Sequence, residues 1–138
     1  MPSDIRSMRI SPEEQQCLKR ATIVLKQPLS KIIQDAVTDY AHAMGISLRL
    51  PRQQPPKKPR TWADAPEREP GSADRRVSIT IDPTTGELLG RASEQFGVSE
   101  GTFLRGATFR YLADLKQVNK ASARYQQLLV PEKYERRT

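Results

Sequence analysis

Apolar residues follow two rhythms along this chain, and the same succession of rhythms occurs twice. Arg76-Val77-Ser78-Ile79-Thr80-Ile81 alternates: Val77, Ile79 and Ile81 share one face, and Arg76, Ser78 and Thr80 the other. That period of two predicts a half-buried strand. Ile5-Arg6-Ser7-Met8-Arg9-Ile10 repeats the pattern more weakly, with Met8 and Ile10 on the apolar face, Ser7 and Arg9 opposite, and Arg6 where the other run has Val77. After each strand comes a helix start: Ser11 or Asp82 as N-cap, then Pro12 or Pro83, with Ser11 and Glu14 spaced as a capping box. Leu18, Ala21 and Leu25, like Leu89, Ala92 and Phe96, then recur at helical spacing until Lys26-Gln27-Pro28 and Gly97-Val98-Ser99 interrupt them. A second helix follows each break. Its apolar face is Ile32, Ile33, Ala36, Val37, Tyr40 and Met44 in one case and Phe103, Leu104, Ala107, Tyr111, Leu112 and Leu115 in the other, with Gly45 as a stop for the first.

These parallels are one gap-free internal repeat. Position n resembles n+71 from Ile5/Arg76 to Met44/Leu115, 40 pairs of which eight are identical, including Ser7/Ser78, Ile10/Ile81, Pro12/Pro83, Leu18/Leu89 and Tyr40/Tyr111. Roughly two or three identities are expected by chance. The chain therefore divides into a first copy over 1–45, a linker over 46–75, a second copy over 76–117 and an extension over 118–138. The linker holds six of the eleven prolines, mixed with Lys57, Lys58 and Arg60. A flexible tether of that length spans roughly 30 Å, enough for one copy to fold back on the other. In the extension, Leu115, Val118, Ser122, Tyr125 and Leu129 fall at helical spacing before Pro131, which fits either a continuation of the second helix or a third helix.

Charge narrows the partner. Twenty-three Lys and Arg against sixteen Asp and Glu give a net +7, which favours a polyanion, with nucleic acid foremost. One Cys and one His are too few for a multi-ligand zinc site or an intrachain disulfide. Cys17 aligns with Leu88 and is expected in the core, and His42 on the surface. No metal or other cofactor is expected. No run of apolar residues approaches the roughly 18 to 20 needed to span a bilayer, and Met1-Pro2-Ser3-Asp4 lacks the basic end and apolar core of a signal peptide. The expectation is a cytoplasmic protein with no membrane partner. Trp62, alone in the linker, fits packing back on the body and docking a partner equally well.

A single copy offers one strand with no ladder partner and helices with no opposing layer, so it cannot be stable alone. Two copies solve both problems by pairing their strands into an antiparallel ribbon over four helices. The expected fold is mainly α with a short two-stranded antiparallel β-ribbon, paired either within one chain as a pseudo-dimer or between two chains.

The Val77-to-Ile81 strand, Asp82-Pro83, a helix with Leu89 and Ala92, the Gly97-Val98-Ser99 turn and a helix with Phe103-Leu104, Ala107 and Tyr111 together resemble a ribbon-helix-helix domain of the Arc/MetJ/CopG type. The resemblance covers about 80 of the 138 residues, and the tandem arrangement is similar to TraY-like accessory proteins of conjugative relaxosomes. It implies double-stranded DNA as partner, with the ribbon in the major groove and its outward side chains reading base edges. Carried over by position, the readers are Ser7, Arg9, Arg76, Ser78 and Thr80. Ile5, aligned with Arg76, either touches a thymine methyl or lies outside the ribbon. The phosphate grips are the starts of the second helices, Leu29, Ser30 and Lys31 in one copy and Glu100, Gly101 and Thr102 in the other. Gly101 there allows close backbone approach, while Glu100 would repel a phosphate. Lys57, Lys58 and Arg60 are candidates for flanking phosphate contacts. Because the two strands differ chemically, an asymmetric core site is expected, with more than one chain able to bind along the DNA.

Three roles fit: a transcriptional regulator, in particular a repressor acting by occupancy; a relaxosome accessory that binds near a transfer origin and recruits a relaxase or another transfer protein; and an antitoxin whose extension folds onto a toxin. An enzyme is not expected, since no nucleophile, base and orienting group stand at a recognisable spacing.

Overall fold

The first strand, β1 (Asp4–Ile10), leads into α1 (Pro12–Leu25) and α2 (Leu29–Ala43), and the same order returns as β2 (Arg75–Ile81), α3 (Pro83–Phe96) and α4 (Glu100–Val118). These elements come from a computed structural model that describes residues 4–52, 54, 57–58, 60–62 and 75–135. β1 and β2 pair antiparallel as a two-stranded sheet, and the fold of the described residues is mainly helical.

Each helix start follows from its local chemistry. Ser11 Oγ accepts the Glu14 N–H at 3.1 Å while the Glu14 carboxylate accepts the Ser11 N–H at 2.8 Å, closing the capping box. Asp82 Oδ1 accepts the Thr85 N–H at 2.7 Å. The stops also correspond: α1 ends on Lys26 at φ 52° and α3 on Gly97 at φ 64°, both left-handed. Glycine takes that conformation freely, whereas a Cβ pays a steric penalty there.

Inside the ribbon, Met8, Ile10, Ile79 and Ile81 are buried, and beneath them α2 packs against α4, with α3 touching both. Ile32, Ile33, Leu88, Leu89, Phe103, Leu104 and Leu112 are among the fully enclosed side chains. Each such burial stabilises by about 1.5–3 kcal/mol.

The linker is not a free tether where it is described. Ile46 and Trp62 are buried. Trp62 stacks on Phe103 at 5.2 Å, meets Tyr40 edge-on at 6.1 Å, and donates from Nε1 to Tyr40 Oη at 2.7 Å. The indole thus completes an aromatic cluster with Phe96 and satisfies its one donor there, which selects packing on the body over docking a partner. Nearby, the Arg60 guanidinium lies 5.0 Å from the Phe96 ring centre, its backbone N–H donates to Gln95 and its side chain to the Met44 carbonyl.

Beyond α4 the helical expectation fails. The helix ends at Val118, and the tail continues through short 3₁₀ turns at Tyr125–Gln127 and Glu132–Tyr134. Leu128, Val130 and Tyr134 are buried, while Val118 and Leu129 of the expected stripe are exposed. An extended strap places Leu128 and Val130, two apart, on one side, and Tyr134 stacks on Phe109 at 5.1 Å. Covered by this strap, α4 is buried on more than one face, including Arg105, Thr108, Phe109 and Arg110.

The strap also closes over Glu14, which is fully enclosed. Arg105 Nε donates to Glu14 Oε2 at 2.9 Å, and Tyr134 Oη donates to the same oxygen. Burial alone would push the carboxyl up, but the Arg105, Tyr134 and Ser11 hydrogen bonds outweigh it and hold the group below its ordinary 4.5.

Two predictions follow from these contacts. A carboxyl held lower in the fold than in the unfolded chain contributes stability that is complete above pH 4.5 and is lost as pH falls through the folded value. Urea midpoints of the natural chain should therefore decline below pH 4.5, whereas Glu14→Gln should be less stable at neutral pH and show a shallower acid decline. Replacing Arg105 with Leu should cost about 3–5 kcal/mol, because it strands a buried carboxylate. Separately, Lys26→Gly should raise stability by up to about 1 kcal/mol by relieving the left-handed cap, read as a higher urea midpoint; a lower midpoint would show that the cap carries no strain.

Candidate nucleic-acid interface

Alternation along the paired strands decides which side chains leave the core. The register sets Ile5 opposite Thr80, Ser7 opposite Ser78 and Arg9 opposite Arg76, while Arg6, Met8 and Ile10 belong to the inward face. Ser7, Arg9, Arg76, Ser78 and Thr80, expected as a reading set, thus share one face of the ribbon; Ser7 is half-buried and the other four are exposed. Ile5 lies within the ribbon, not outside it, and is 71% exposed.

The arginines converge at one end. Arg9 faces Arg76 across the ladder; Arg75, a strand residue that the sequence pattern did not include, pairs with Ile10 and so belongs to the other face. Like charges directly opposite each other disfavour pairing. Arg76 Nη2 approaches Ser7 Oγ at 3.3 Å, holding that guanidinium along the outer face.

Arg6, the one charged residue on the inward face of β1 between its ends, has a local reason to be there. Its Nε lies 3.5 Å from Glu100 Oε1, and its Nη2 lies 3.8 Å from Asp4 Oδ2. Glu100, which would repel a phosphate, is thereby partly neutralised. Gly101 also fits tightly within the fold: a Cβ there would sit 3.1 Å from the Ser7 carbonyl oxygen. The close approach is that of α4 to the backbone of β1. Thr102 donates its N–H to Ser99 Oγ at 3.1 Å.

The start of α2 is more open. Pro28 provides no side-chain cap, so the first-turn amides of Leu29 and Ser30 face outward along the helix axis, where an anion is favoured. The Lys31 N–H donates to the Pro28 carbonyl at 3.1 Å, and its ammonium pairs with Asp35 at 2.8 Å. The two helix starts are therefore unequal, with the α2 start less capped and free of a first-turn acid.

Of the linker candidates, Lys57 and Lys58 are exposed, whereas the Arg60 side chain is engaged with Phe96 and Met44. Cys17 is enclosed, and burial, with the Glu14 charge adding to it, pushes its thiol up to about 12; it stays protonated and unreactive at neutral pH. His42 is exposed. Among the described residues no group of three or more His, Cys, Asp and Glu side chains is placed to hold a metal ion, and no helix is long and apolar enough to cross a membrane.

Comparison with protein-family models, curated proteins and solved structures found no match to this chain. The functional reading rests on the geometry of the ribbon and helix starts.

Proposed function

We propose that this chain is a sequence-specific double-stranded-DNA-binding protein of ribbon-helix-helix type, its two β-α-α halves forming an intramolecular pseudo-dimer, and that it regulates transcription by occupying its site. The observation that carries the reading is the outer ribbon face, where Arg9, Arg76, Ser78 and Thr80 stand exposed on a core-backed sheet beside Ser7. A two-stranded ribbon fits the B-DNA major groove, and Arg, Ser and Thr supply the donors and acceptors that base edges there distinguish. The net charge of +7 supplies the sequence-independent attraction. The open amides of Leu29 and Ser30, with Lys31 adjacent, suit one phosphate.

Packing of the tail favours this reading over an antitoxin role. Leu128, Val130 and Tyr134, three of the large apolar side chains that a tail could offer a toxin, are buried against the chain's own helices, leaving Val118 and Leu129 exposed.

Two substitutions separate reading from gripping. Arg76→Ala should cost about 1–3 kcal/mol on the preferred site and little on random duplex, whereas Lys31→Ala should weaken all duplexes alike and lower the salt slope by up to about 1. Equal losses on specific and random DNA for both variants would show that the strand face reads no bases. The role is decided by sequencing cellular and plasmid fragments captured by the purified chain at near-physiological salt. Promoter peaks support the regulator, a dominant peak beside a transfer origin replaces it with a relaxosome accessory that engages a relaxase, and unenriched capture rejects sequence-specific binding.

A further inference from the structure

The internal repeat and the strand register relate the outer-face residues in different ways. By repeat, Ile5 corresponds to Arg76 and Arg9 to Thr80. By register, Arg9 stands across from Arg76 and Ile5 across from Thr80, with Ser7 and Ser78 between them. The central pair is the pair that the repeat also aligns, so the two ends of the face are equivalent in backbone and opposite in chemistry. One end presents two guanidinium groups, Arg9 and Arg76; the other presents a 71% exposed isoleucine and a threonine.

Resting on the DNA-binding reading above, we propose that the ribbon reads its site in one direction, taking guanines at the Arg9/Arg76 end and thymine methyls at the Ile5/Thr80 end. Arginine is the side chain whose fork matches the O6 and N7 acceptors of guanine. Two of them facing each other across the ladder repel, and that repulsion falls when acceptor-rich base edges lie against both. Ile5 has no hydrogen-bonding group, and the thymine methyl is the apolar group that base pairs show in the major groove. Thr80 adds a methyl of its own and a hydroxyl that accepts or donates. The serines in the middle impose little preference. A single bound chain therefore has a defined orientation on the duplex.

The test is selection of sites from random duplex DNA by the full chain, repeated with two variants. The natural chain should yield a non-palindromic consensus with G·C pairs at one end and A·T pairs at the other. Arg9→Ala should reduce discrimination at the G·C end by about tenfold or more and leave the other end unchanged. The double variant Ile5→Arg/Thr80→Arg, made at exposed positions, should give both ends the same chemistry and shift the selected sequence towards an inverted repeat with G·C pairs at both ends. A palindromic consensus from the natural chain, or an A·T end unchanged in the double variant, overturns directional reading while leaving DNA binding intact. Failure of the natural chain to enrich any sequence overturns the DNA-reading assignment itself.

Discussion

Each strand of this protein finds its ladder partner in the other. Each β-α-α stretch contains one strand, and a lone strand leaves a row of amides and carbonyls without ladder partners. Pairing β1 with β2 meets that demand, and much else follows. It brings residues 4–10 beside residues 75–81 and sets α2 and α4 beneath the same ribbon, next to the aromatic cluster in which Trp62 joins Tyr40, Phe96 and Phe103. It also sorts the strand side chains, because a slip of one residue would exchange the buried Met8, Ile10, Ile79 and Ile81 for the polar set opposite.

The two halves solve equivalent problems with different residues. Where β2 has Val77, β1 has Arg6, tolerated because Glu100 and Asp4 lie beside it. Where α3 closes on Gly97, α1 closes on Lys26 in the same left-handed conformation. The backbone N–H of the N-cap is satisfied in both halves, at Ser11 by Glu14 within the same helix and at Asp82 by Gln34 from α2 at 2.8 Å. Glu14 and Arg105 form a buried ion pair at positions where the repeat places Thr85 and Gln34. Divergence of this kind is cheap only when each change meets a complementary change nearby, and the Glu14–Arg105 pair joins the first half to the second.

Charge is distributed unevenly between the interior and the ribbon. Arg105 is neutralised inside by Glu14, and Arg52 and Arg91 by carboxylates of α3. Arg9 and Arg76 face each other at one end of the outer ribbon face. Like charges facing each other on a short sheet oppose the stability of that sheet, a cost that the proposed DNA partner would relieve.

Local chemistry was enough to determine the strands, the helix starts at Ser11 and Asp82, the breaks at Lys26 and Gly97, and the side chains of the outer ribbon face, because each depends on periodicity or on contacts within a few residues. Trp62 and the tail were not legible: their fate depends on cavities built by distant elements, the aromatic pocket among α2, α3 and α4 and the groove along α1 and α4 that receives Leu128, Val130 and Tyr134. Glu14 read correctly as a capping residue, yet its burial and its pairing with Arg105 arise only when the two halves meet. The helix starts were placed correctly as well, and Glu100 already set them apart in the sequence; packing added the approach of Gly101 to the Ser7 carbonyl and the placing of Arg6 beside Glu100. The convergence of Arg9 with Arg76 was likewise decided by register, a property of two strands brought together across the whole chain.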